Sequence, residues 1–143
     1  MTWAGQSVFA LPCGGAGAEL YSARLVDGDG TSSTVFLDFS QLTFNVTLTQ
    51  SRRVMITLTG TINTSGVSDV AEFAIAVDTV QQPDIASASS SVAGSPVAVA
   101  LTTQVDLPAG TTTIQAQWKT GTTVSAAGGQ MHLEAVVGQV VTP

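Results

Sequence analysis

Charge is scarce in this chain of 143 residues. Lysine and arginine together number 4 and aspartate plus glutamate 10, so only 10% of residues are charged, against about 25% in a typical soluble domain. The basic residues stand singly, apart from the pair Arg52-Arg53, and such a set does not neutralise a row of phosphates, which argues against nucleic acid as a partner. The only cysteine is Cys13, so no intrachain disulfide can form and cysteine usage gives no support to oxidising secretion. The N-x-[ST] matches at Asn45 and Asn63 then read as chance in a Thr-rich chain. No apolar run approaches the roughly 20 residues of a membrane-spanning helix, and no membrane partner is expected. The opening MTWAGQSVFALPCGGAGAEL lacks the basic start of a signal peptide.

Hydroxyls take the place of charge: the chain holds 20 Thr and 14 Ser, and Thr suits a half-buried pleated surface. The hydrophobic residues alternate. In QLTFNVTLTQ, Leu42, Phe44, Val46 and Leu48 point one way and Thr43, Asn45, Thr47 and Thr49 the other, the period of a strand with one face in a core. Val54, Ile56 and Leu58 repeat the pattern in SRRVMITLTGTI, as do Phe73, Ile75 and Val77 in AEFAIAVD. YSARLVD, TVFLDF, SPVAVALTTQVDL, TTTIQAQWK, TTVSAA and QMHLEAVV are further candidates, about 8–9 strands in all and no helical period. Breaks are expected at DGDG, NTSG, QQPD, SASSSVAGSP, PAG and AAGG. The class is therefore all-β, an antiparallel sandwich or barrel in one domain over residues 19–143. Residues 1–18 lack sustained alternation and read as an extended N-terminal arm. Trp3, Val8, Phe9 and Leu11 make it more apolar than a free tail, so the arm is expected to dock on another surface.

No pattern carries catalytic or metal chemistry. DGDGTSSTVFLD places Asp27, Asp29, Thr31 and Asp38 near calcium-loop positions, but Ser32 stands where the loop needs glycine. A polar turn is the simpler reading. Cys13 and His132 lack the flanking signature of a nucleophile and its base, and His132 alternates outward from Met131, Leu133 and Ala135. The acidic residues are scattered, so neither an enzyme nor a cofactor is expected. Trp118 shares a face with Ile114 and Ala116, opposite Gln115, Gln117 and Lys119. It is either a core anchor or an exposed platform, and that company favours a core built on Ile114, Trp118, Phe73 and Phe44.

The C-terminal half resembles the small jelly-roll domains of the TNF/C1q-like type found in bacteriophage virion proteins. The resemblance lies in AEFAIAVD (71–78), SPVAVALTTQVDLPAG (95–110), TTTIQAQWK (111–119), TTVSAA (122–127) and QMHLEAVV (130–137), and LPAGTTTIQAQWK is its most specific part. It implies a two-sheet antiparallel jelly-roll β-sandwich that assembles as a homotrimer. The function implied is that of a capsid decoration, or cement, protein bound to the major capsid protein on the virion's outer surface and assembled in the host cytoplasm. A receptor- or glycan-binding knob of a tail or fibre is the alternative on the same fold, and 6% aromatics is thin for it.

Overall fold

The computed structural model describes residues 2–3, 6–10, 19–64, 66, 70–90, 92–121, 123–126 and 129–140. Their regular structure is all strand: β1 Thr2–Trp3, β2 Gln6–Ala10, β3 Glu19–Arg24, β4 Asp29–Thr31, β5 Leu37–Leu48, β6 Arg52–Thr64, β7 Val70–Val77, β8 Val80–Ser89, β9 Pro96–Leu107, β10 Gly110–Thr120, β11 Val124–Ala126 and β12 Met131–Val140. The larger antiparallel sheet runs β1-β2-β3-β12-β6, with β9 on the far edge of β6 and β11 and β4 continuing beside its C-terminal end. The smaller is β5-β10-β7-β8. The connections β5 to β6, β6 to β7, β8 to β9, β9 to β10 and β10 to β11 each cross between sheets, which makes the sandwich the expected jelly roll.

Alternation builds the core. Leu42, Phe44, Val46 and Leu48 of β5 and Ile114, Ala116 and Trp118 of β10 face Val54, Ile56 and Leu58 of β6 and Met131, Leu133, Ala135 and Val137 of β12, all buried. Trp118 lies at the centre of the aromatic packing. Its ring stacks on Phe39 at 3.7 Å between centroids and 20° between planes, and meets Phe73 at 6.4 Å. Phe73 is also its register partner on β7.

TVFLDF and QLTFNVTLTQ, read from the sequence as separate strands, contribute to one strand, β5, that carries a bulge. Gln115 of β10 pairs with Thr43 and Gln117 with Asp38, so β5 gains extra residues between those pairs and both Phe39 and Leu42 turn inward, each 0% exposed. Gln41 takes the left-handed conformation, φ 68°, and its side-chain oxygen accepts from Val26 N–H at 2.9 Å and Asp27 N–H at 3.1 Å. Carbonyls freed by the bulge need donors. The Gln115 amide donates to Phe39 O at 2.9 Å and Leu42 O at 3.2 Å.

The expected QQPD turn is strand instead. Val77 pairs with Val80, so the turn is Asp78-Thr79, with both residues at positive φ, 47° and 70°. That is the pattern of a two-residue hairpin loop whose twist matches its strands. Asp78 suits it and its carboxylate accepts from Thr113 N–H at 2.8 Å. Thr79 does not, because a β-branched residue is strained there. Pro83 is tolerated because β8 is an edge strand with a register shift opposite Ala74 and Ala76. Gly60 marks the point where β6 changes partner from β12 to β11. At φ 150°, a Cβ there would overlap Gln130 O and lie 2.6 Å from Met131 Sδ, so no side chain fits.

Two substitutions should therefore move stability in opposite directions in urea unfolding. Trp118→Ala should lower it by about 3–5 kcal/mol, the range for truncating a large core aromatic. Thr79→Gly should raise it by about 0.5–1 kcal/mol by relieving the positive-φ strain.

Candidate functional site

The structure distributes the residues singled out from sequence over several places. Ile114, Trp118, Phe73 and Phe44 are buried between the sheets. Trp3 belongs to β1, while Val8 and Phe9 belong to β2, where they are the register partners of Tyr21 and Leu20. The described part of residues 1–18 thus runs as an added edge of the larger sheet, and Leu11 and Cys13 lie outside the described residues. Asp29 opens β4, and Asp38 accepts from Gln117 Nε2 at 3.2 Å. Among the described residues no group of three or more His, Cys, Asp or Glu could hold a metal ion. His132 stands between Arg24 of β3 and Thr59 of β6 on the outer face of the larger sheet.

That outer face carries an apolar row. Leu20 of β3 pairs with Val136 of β12, and Val136 with Met55 of β6. Val136 and Met55 are 38% and 40% exposed although they sit in mid-sheet. The neighbouring row, Ser22, Glu134, Thr57 and Thr102, is polar. Arg24 and Glu134 are both exposed there, and neither takes part in the described ion pairs, Arg53–Asp106 and Lys119–Glu72. At the sheet's far edge Arg53 bonds Asp106 at 2.9 Å. This hydrogen bond holds the Asp106 carboxyl below its ordinary range, but the pair is exposed and contributes little to stability.

The outer face of the smaller sheet is different in kind. Its polar side chains bond one another: Thr113 to Asn45 at 2.8 Å, Thr47 to Thr111 at 3.0 Å, and Gln117 to Asp38 at 3.2 Å. At one end of this sheet Lys119 and Glu72, register partners on β10 and β7, form an ion pair at 3.0 Å. The ammonium lies 4.8 Å from the centre of the Phe36 ring. These groups border an open cleft of about 270 Å³ lined by Thr34, Val70, Glu72, Lys119, Thr120 and Gly121. Sequence reading placed Lys119 on the outward face but missed the cleft, because the opposing Glu72 is set by register and the wall by a loop.

Tyr21 bridges the sheets where β2 joins β3. Its hydroxyl donates to Glu19 Oε2 at 3.0 Å, lies 3.4 Å from Thr47 O of β5, and its ring stacks on Phe44 at 6.1 Å. Burial pushes the Tyr21 hydroxyl above its ordinary value of 10.0, and the bond to Glu19 and its charge push the same way.

No family model matches the chain, and no curated protein matches it in sequence. Solved structures match it in fold. Eiger TNF from S. frugiperda superposes with a TM-score of 0.58 at 10% identity, covering 85% of this chain and 94% of that one. CBM35 from Cellvibrio japonicus Abf62 gives 0.48 at 17% identity, over 95% and 97% of the two chains. VP2 of infectious bursal disease virus gives 0.45 at 13%, over 87% of this chain and 37% of that one. At such identities the likeness is one of fold alone, and the Eiger TNF superposition carries it: the chain is similar to a TNF-type jelly roll.

The Tyr21 environment predicts a pH effect with a definite sign. An acid whose folded value is raised favours its neutral form in the native state, so its contribution is complete below the ordinary value of 10.0 and is lost as pH rises through the folded value. Thermal unfolding followed from neutral pH into the alkaline range should show this decline in the wild type, and Tyr21→Phe should flatten it. Equal slopes in the two proteins would contradict the assignment.

Proposed function

We propose that the chain is a structural protein of a bacteriophage particle: a homotrimeric decoration protein that sits on the outer capsid surface and bridges major capsid protein subunits. The observation that carries this reading is the apolar row Leu20, Val136 and Met55 across the outer face of the larger sheet. The row runs in register across three strands, and its exposed members Val136 and Met55 gain by being covered, at about 25 cal/mol per Å² of surface removed from water. The low charge of the chain favours the same outcome, because interface cores are depleted of charge.

A copy of the same chain is a suitable cover. Glu134 lies one row and Arg24 two rows from the apolar row, so one subunit's arginine can meet its neighbour's glutamate, and complementary charges set orientation. In this reading the N-terminal strands extend the shared sheet, and Trp3, Val8, Phe9 and Leu11 contact the capsid or adjacent subunits. Each contact is weak alone. Three copies joined together add theirs through effective concentration, which lets a small domain hold a shell.

The likeness to a TNF-type jelly roll supports the architecture this requires. The sequence resemblance in LPAGTTTIQAQWK supports the phage setting. Quantitative mass spectrometry of purified virions is the test. A copy number comparable to that of the major capsid protein is expected. A handful of copies per particle would instead place the chain in a tail or fibre and overturn decoration.

A further inference from the structure

We infer that the cleft at the end of the smaller sheet is a binding site for a single neutral sugar ring, which the Lys119–Glu72 pair holds through a vicinal diol. Its position is independent of the proposed trimer, since β7 and β10 belong to the smaller sheet and the apolar row to the larger.

The walls are held before any ligand arrives. Thr120 N–H donates to Ser33 O at 2.8 Å and ties the loop before β5 to the end of β10. Ser33 Oγ donates to Val35 O at 2.7 Å and accepts from Val35 N–H at 3.1 Å, which fixes the turn that carries Thr34. On the floor, Lys119 and Glu72 are each about one-third exposed, at 33% and 34%. The Phe36 ring holds the ammonium from another side. The polar groups are therefore oriented and partly desolvated, the condition in which charge-assisted hydrogen bonds are strongest.

Charge selects the ligand. The ion pair makes the floor neutral overall, so a lone anion must compete with Glu72 for the ammonium and a lone cation with Lys119 for the carboxylate. A diol competes with neither. One hydroxyl accepts from a spare ammonium N–H while its neighbour donates to a spare carboxylate lone pair, and the 3.0 Å ion pair stays intact. Val70, 46% exposed, offers an apolar wall to the C–H face of the ring, and Thr34 a hydroxyl at the rim. The volume of about 270 Å³ falls just under the roughly 300–1,000 Å³ typical of drug-sized ligands, which favours one ring over a longer chain. So few contacts imply weak binding, with a Kd on the order of 1 mM.

The test is an amide-resolved NMR titration of the full chain with the methyl glycosides of glucose, galactose, mannose and N-acetylglucosamine, with sodium acetate and methylammonium as charged controls. At least one glycoside should produce saturable shifts confined to Thr34, Val70, Glu72, Lys119 and Gly121. Glu72→Gln should weaken that binding by about tenfold, the loss of one charge-assisted bond. Gly121→Leu is the second variant: a Cβ at Gly121 meets nothing within 4 Å, so the fold accepts it, and because Gly121 lines the cleft a bulky side chain there should obstruct the ligand and abolish binding. Absence of saturable shifts with all four glycosides would overturn the inference. So would shifts that survive both substitutions, or a site that answers only to acetate or methylammonium.

Discussion

The stacking of Phe39 on Trp118, 3.7 Å between ring centroids, is the contact on which the rest of the sandwich depends. Trp118 projects from β10, a central strand of the smaller sheet, and a regular β5 would not bring both Phe39 and Leu42 to the core side, because residues three apart in a strand face opposite ways. The bulge at Gln41 restores the phase. It also frees carbonyls at Phe39 and Leu42, and Gln115 donates to both from the neighbouring strand. Aromatic packing, bulge and glutamine amide thus form one unit, in which each part makes the next necessary.

With the core closed in this way, the two outer faces are left to differ. The smaller sheet satisfies its surface internally, through Thr–Asn, Thr–Thr, Gln–Asp and Lys–Glu pairs that cross between strands. These cross-strand bonds stand in for much of the water the face would otherwise need, although Gln117 Oε1 has no partner among the described residues and Val70 and Ile85 are each 46% exposed. The larger sheet instead carries Leu20, Val136 and Met55 in one row, with Arg24 and Glu134 nearby. The proposed assembly through the larger sheet and the proposed small-ligand contact at the end of the smaller one both rest on this division.

Much of this arrangement was legible in the sequence because a period of two is a strong signal. The alternation of Leu42 to Leu48, of Val54 to Leu58 and of Ile114 to Trp118 assigned the strands and their inward faces without any knowledge of register. What could not be read was whatever depends on pairing. No glycine marks the bulge at Gln41, so one strand looked like two. QQPD has turn composition, yet it lies in an edge strand where proline removes no ladder bond, and the true turn, Asp78-Thr79, contains no glycine. The apolar row and the Lys119–Glu72 pair each join residues far apart in the chain, and they become visible only once neighbouring strands are placed side by side.

In the proposed assembly, further copies of the chain cover the outer face of the larger sheet. Sedimentation equilibrium of the full chain, compared with Met55→Glu, tests it most directly. Met55 is 40% exposed, so the substitution leaves the core intact, which circular dichroism can verify. A trimer that the substitution converts to a folded monomer is the predicted result. A monomeric wild type, or a trimer indifferent to a charge at Met55, would rule out assembly through this face.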